Sequence, residues 1–223
     1  MRLTVNTFVT LDGVMQGPGG PEEDRNDGFE QGGWQVPYMG EDMGPIVIAW
    51  FEAADAFLLG RKTYEIFAGH WPRVTDPNDV VAAKLNNLPK YVASTTLGDV
   101  EWNNSTLIKG NVAEAVAELK RQPGNELQVH GSGGLIQTLM EHDLVDEYHI
   151  WIYPVVLGNG RRLFPEGVAP TALELVDSRI LRAGGVIHVY QPAGKPQFGS
   201  VLLEDDGTVV SDSLSKRSGS SAP

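Results

Sequence analysis

Three short stretches carry residue types that could do chemistry. In HGSGGLIQ, His130 to Gln137, an apolar run leads into Gly131, Ser132, Gly133 and Gly134 and then into a helical pattern. A helix that starts there turns unpaired N–H groups and the positive end of its dipole outward, and glycine lets an anion approach the main chain. Taken alone, the stretch fits a phosphate loop and a tight strand-to-helix turn equally well. It lacks the Lys-Ser/Thr of a P-loop, and Ile136 stands where the dinucleotide fingerprint has its third glycine. The second stretch, GRKTYE, Gly60 to Glu65, sets Arg61, Lys62 and Thr63 at another strand-to-helix change. Two cations at a helix start oppose its dipole by about 0.3–1 kcal/mol, which implies a negative partner. Together the two stretches match what NADPH requires: a pyrophosphate on one, a ribose phosphate on the other. The third is Asp12, at the end of the first strand pattern and beside a glycine-rich loop, where a ligand-facing carboxylate would stand in an open α/β sheet. Asp12 is the candidate for the polar catalytic role. Glu41 and Asp42 compete with it, and Trp34 is placed to stack on a flat heterocycle.

The elements that must position these residues follow from periodicity. LTVNTFVTL alternates as a strand over about Arg2 to Thr10; the polar run from Gly17 to Gly33 is a long loop of the kind that forms lids or stays disordered. A helix follows in EDMGPIVIAWFEAA, its first turn broken or delayed by Gly44-Pro45, then a buried strand from Asp55 to Gly60. Helical RKTYEIFAG and VVAAKLNNL, a strand at KYVASTTL, a short strand in WNNSTLIKG, helix AEAVAELKRQ, strand LQVHG and a helix over about Gly134 to His142 continue the alternation. DEYHIWIYPVVL and TALELVDSRILRAGGVIHVYQP are long strand runs without intervening helices. The expected fold class is α/β, a mostly parallel central sheet with flanking helices and antiparallel C-terminal strands. That domain spans 1–194. Residues 195–223 form a polar extension, with a hairpin turning at Asp206-Gly207 and a disordered tail SLSKRSGSSAP.

Composition narrows the partners. A net charge of −12 repels a phosphate backbone, so nucleic acid is not expected. Without cysteine there are no disulfides and no thiolate sites, in keeping with a reducing, cytoplasmic setting. The N-terminus lacks the apolar run of a signal or a membrane span. His70, His130, His142, His149 and His188 share no ligand spacing, so no metal is expected. Arg161-Arg162 reads as a solvated loop pair that could reach a substrate phosphate, and the exposed edges of the last strands suit a homodimer.

TFVTLDGV, DAFLLGRKTYE, KYVASTTL, LQVHGSGGLIQTLMEHDLVDEYHIWIYPVVLGNGRRLF and LELVDSRILRAGGVIHVYQP resemble, in order, the blocks of the dihydrofolate reductase superfamily. The likeness runs from Arg2 to Pro192 and is greatest to the reductase domain of the bifunctional riboflavin-biosynthesis deaminase-reductase. The resemblance implies that Gly60, Arg61, Lys62 and Thr63 hold the adenosine phosphate and part of the pyrophosphate. It puts Ser94 and Thr95 near the adenine ribose, Gly131 to Gly134 at the pyrophosphate, and the main chain near Val9, with Val14, against the nicotinamide. Asp12 matches the acidic residue of the family's Leu-Asp-Gly block. Trp34 and Pro37 match a Trp-x-x-Pro segment, but Tyr38 and Met39 stand where a folate-binding carboxylate is expected, with Glu41 and Asp42 shortly after. The implied activity is NADPH-dependent reduction of a small heterocycle, foremost 5-amino-6-(5-phosphoribosylamino)uracil. The alternatives are a broad-specificity pterin or dihydrofolate reductase and a non-catalytic NADP-binding sensor.

Overall fold

The structure is a computed structural model that describes residues 1–203 and 208–211. The Asp206-Gly207 turn and the tail lie outside the described residues. Strands β1 (Arg2–Thr10), β2 (Ala54–Gly60), β3 (Lys90–Ala93), β4 (Ser105–Ile108), β5 (Glu126–His130), β6 (Glu147–Tyr153), β7 (Leu173–Ile180) and β8 (Val186–Pro192) form one sheet. Its order is β4-β3-β2-β5-β1-β6-β8-β7. The first six strands run parallel and β8 and β7 antiparallel, so the α/β class read from the sequence holds. Val201–Leu203 (β9) and Val209–Ser211 (β10) pair antiparallel as a separate two-stranded unit.

Helices α1 (Met43–Ala53), α2 (Arg61–His70), α3 (Val80–Asn87), α4 (Val112–Arg121) and α5 (Gly133–Glu141) make the crossovers. Asp79 and Asn111 start α3 and α4 by accepting the N–H of Ala82 and Glu114. Pro45 does not break α1, because it falls in the first turn, where no intrahelical N–H is lost.

The period of two decides which side chains meet. Leu3, Val5, Leu58, Leu127 and Val129 are fully buried in one core cluster with Val116, Ile136 and Leu139 from α4 and α5. On the α1 side, Trp151 and Tyr153 are wholly buried with Leu181 and Ile187, and Met43, Ile46, Val47 and Trp50 pack on them. A third cluster joins Phe51, Phe57, Leu59, Leu85, Val92 and Trp102. Under it lies Lys90, 0% exposed, its Nζ donating to the carbonyls of Leu85 (2.7 Å) and Leu88 (2.8 Å) and standing 4.5 Å from the Trp102 ring. Those carbonyls close the end of α3, so a side chain does the work of a C-cap.

The polar loop from Gly17 to Gly33 is folded onto the domain rather than loose. Phe29 is 3% exposed, and Gln16 Nε2 donates to the carbonyls of Asp24 (3.3 Å) and Asn26 (3.0 Å). Just before it, the N–H groups of Met15 and Leu163 bond the carbonyls of Arg161 and Gly13, and Arg161 pairs with Asp24 and Asp27, which ties the loop to residues 160–163. Gly160, at φ +109°, permits this contact: a Cβ there would come 2.7 Å from Val14 and 2.8 Å from Phe29.

Candidate active site

Because the six parallel strands share a direction, the C-terminal ends of β1, β2, β3 and β5 open on one edge of the sheet. A cavity of about 1390 Å³ lies there. It is larger than a typical small-ligand pocket of ~300–1,000 Å³, as a dinucleotide and a second molecule together would need.

At one end two helices begin side by side. α2 follows Gly60 and α5 follows Ser132, and neither start is capped by a side chain. Their first N–H groups are therefore left for a ligand or solvent. The starts are locked together: Ser132 Oγ accepts the Gly60 N–H at 3.0 Å, and Thr63 Oγ1 accepts from the Ser132 N–H (3.1 Å) and hydroxyl (3.0 Å). Gly131 and Ser132 both hold left-handed backbone, at φ +53° and +61°, which turns β5 sharply into α5. Arg61 is half-exposed with Glu65 at 3.7 Å, and Lys62 has no carboxylate partner among the described residues. Ser94 and Thr95 line the same cavity at the end of β3; the Ser94 hydroxyl accepts the N–H groups of Thr96 (3.2 Å) and Leu97 (3.1 Å), ending that strand before the STTL segment. Thus Gly60, Arg61, Lys62, Thr63, Ser94, Thr95, Gly131, Ser132, Gly133 and Gly134 are brought to one cavity.

The cavity also has an aromatic lining. Phe8, Trp50, Phe51 and Phe67 line it with Val47, Asn6 and His130. The His130 ring stacks on Phe51 at 4.8 Å and 18°, and burial, with His149 adding to it, pushes its imidazole down to about 3.

Several expected residues stand elsewhere. Val9 and Val14 are 5% and 0% exposed core residues, and their neighbours Phe8 and Met15 line the cavity instead. Successive side chains on β1 alternate faces, so Phe8 rather than Val9 turns its side chain to the cavity, while the expectation for Val9 concerns its main chain. Asp12 is also outside the lining. Its carboxylate accepts the Thr10 hydroxyl (2.6 Å) and the N–H groups of Gly158 (2.8 Å) and Leu157 (3.2 Å), with Arg162 at 3.6 Å. The Thr10 bond, with those two N–H groups, lowers Asp12 to about 2, and such a carboxyl has no proton to give at neutral pH. The proton-donor role read for Asp12 is not kept: it braces a loop. Trp34 is buried with Nε1 donating to the Gln16 carbonyl at 2.7 Å, an anchor for the folded loop rather than a stacking plate. Glu41 is exposed and Asp42 accepts the Arg182 N–H at 2.8 Å; neither lines the cavity. α1 turns Val47, Trp50 and Phe51 to the cavity, three turn-spaced residues and no carboxylate. Arg161 and Arg162 do line it, but Arg161 is ion-paired to Asp24 and Asp27, and Arg162 to Asp12.

Residues 2–188 match the model of the RibD C-terminal domain. The chain belongs to the RibD C-terminal domain family. This RibD C-terminal family member is 31% identical over 191 residues to the uncharacterised protein YyaP of Bacillus subtilis (strain 168), covering 85% of this chain and 94% of that protein. In structure it resembles a protein of Shewanella sp. PV-4 named for riboflavin biosynthesis (TM-score 0.65, 23% identity, 86% of this chain and 99% of that one). Dihydrofolate reductase from Enterococcus faecalis, complexed with NADP(H), shares the fold at a TM-score of 0.53 and 13% identity, over 86% of this chain and 96% of that one. The fold is therefore dihydrofolate reductase-like, and the family is one whose members typically use NAD(P)H. Among the described residues no helix is long and apolar enough to cross a membrane, and no group of three or more His, Cys, Asp or Glu stands together as a metal site.

Proposed function

We propose that this protein is an NADPH-dependent reductase of a small, flat heterocycle. The observation that carries the reading is one cavity with two unlike linings: paired uncapped helix starts with Arg61 and Lys62, and an aromatic slot from β1, α1 and α2. The glycine turn of Gly131 to Gly134 leaves main-chain N–H groups for a pyrophosphate, and Arg61 and Lys62 supply the charge for a ribose phosphate. Bound there, NADPH would supply the hydride. The chain's own residues bind and orient the partners: Thr63 and Ser132 fix the two helix starts, Phe8 and Met15 shape the cavity wall, and Trp50, Phe51 and Phe67 exclude water from the slot.

A phosphorylated aminouracil is the second reading, favoured by the family and by Arg161 and Arg162 at the cavity. Its phosphate would have to displace Asp24, Asp27 or Asp12 from those arginines, so an uncharged pteridine- or pyrimidine-like ring fits with less rearrangement. NADPH oxidation with pterins, dihydrofolate and the phosphoribosylaminouracil separates the two; tight NADPH binding with no turnover on any of them would instead mark a sensor. Arg61→Ala tests the cofactor end. It should weaken NADPH by about tenfold or more and NADH little, since a lost charge-assisted bond is worth about 1.5–3 kcal/mol; equal losses would overturn the assignment.

A further inference from the structure

Polar side chains occur on the sheet where a plain core would not place them. Glu126, Gln128 and His130 alternate with Leu127 and Val129 along β5, and Arg2, Thr4 and Asn6 are their partners across β1. Their hydrogen bonds have a direction. Glu126, ion-paired to Arg2, is acceptor-only. Gln128 Nε2 donates to Glu126 (2.8 Å) and to the Trp50 carbonyl (2.7 Å), two acceptors, which fixes the amide so that Oε1 faces His130 at 3.1 Å. His130 must then carry its proton on Nε2. Its Nδ1 keeps a bare lone pair and has no partner among the described residues, and His130 lines the cavity. The chain on β1 runs in the same sense: Thr4 donates to Glu126 and Asn6 Nδ2 to Thr4, both at 3.4 Å, leaving Asn6 Oδ1 buried without a partner beside the cavity.

We propose that this relay makes His130 a fixed hydrogen-bond acceptor in the aromatic slot, so that the chain selects flat heterocycles bearing an exocyclic amino donor beside a ring N–H. Asn6 Oδ1 is the second acceptor for that edge, and Gln128 is the positioning residue that sets the tautomer. The proposal deepens the reductase reading, because it takes the slot as the substrate end. The groups around His130 support it. Glu126 reaches His130 only through Gln128, and the ring is buried among Phe51, Phe57 and Phe67 with His149 across the sheet, an enclosure that disfavours the imidazolium.

Long-range proton–nitrogen correlation on protein carrying 15N-histidine, with His130 assigned through His130→Gln, reads the tautomer directly and without substrate. At neutral pH the expected signature is protonated Nε2 and bare Nδ1; the opposite tautomer or an imidazolium overturns the proposal. In Gln128→Leu the signature should be lost with the far-UV spectrum kept, and its persistence in a folded variant removes Gln128 from the role. Equilibrium binding of 2-amino-4-oxopteridine and of the same ring without its 2-amino group gives the second readout. The wild type should prefer the amino form by about tenfold, and His130→Phe should lose most of that preference. Equal affinities, or binding of neither probe, overturns the recognition half. A separate NADPH titration keeps the two readings apart: no NADPH affinity, with tautomer and preference intact, sinks the reductase and leaves the recognition site standing.

Discussion

Asp12 shows how a residue of the right type can hold a position of the wrong kind. An Asp-Gly pair at a strand end reads equally as chemistry or as a turn, and the deciding facts are the N–H groups of Leu157 and Gly158, distant in sequence. Asp12→Asn should therefore cost about 1–3 kcal/mol in a denaturant melt with little change in turnover, as charge-assisted bonds to the main chain are lost. Its folded value of about 2 lies below the ordinary 3.8, so the brace contributes fully above about pH 4 and is lost as pH falls through 2. An acid melt in which the variant loses the same stability as the wild type between those values would contradict this. His130 and Gln128 are legible by pattern, since polar residues at period two inside a central strand mark one face and ELQVH carries that pattern, and Asn6 lies opposite His130 on β1.

At the level of elements, the sequence order and type of the strands and helices in the 2–192 region were legible because most have a clear period, and Asp79 and Asn111 mark the starts of α3 and α4. The departures have local causes. The KYVASTTL strand stops at Ala93, where the Ser94 hydroxyl takes over the N–H groups of the next turn. The Gly17–Gly33 run looked unstructured because its packing residues, Asp24 and Phe29, are scattered among charges, and its partner, Arg161, lies far along the chain. The β5–α5 junction supports a prediction of its own. Gly131→Ala places a methyl 3.2 Å from Thr63 Oγ1 on a backbone at φ +53°, which should cost about 1–2 kcal/mol and loosen the Thr63–Ser132 lock. Gly194→Ala, at φ +79° with nothing within 4 Å, is the matched control: both variants should lose stability, but only the first should lose NADPH affinity in a titration.

For the molecule as a whole, mostly parallel topology protects the strands between β3 and β8 and leaves β7 outermost, with Leu175, Val176 and Ile180 all at least 46% exposed. An outer strand of this kind is a natural place for a second copy to pair. Sedimentation velocity should give a homodimer mass, reduced to the monomer by Ile180→Lys; a wild-type monomer would count against the pairing. Next to the opposite edge strand, β4, the β3 strand is tied to α3 from within. Since the Lys90 ammonium is folded inward over Trp102 and spent on the last carbonyls of α3, amine-directed acylation in the native state has no route to it. Modification at that one lysine would report the momentary parting of the α3–β3 corner, turning a concealed cation into an internal clock for how often that edge breathes.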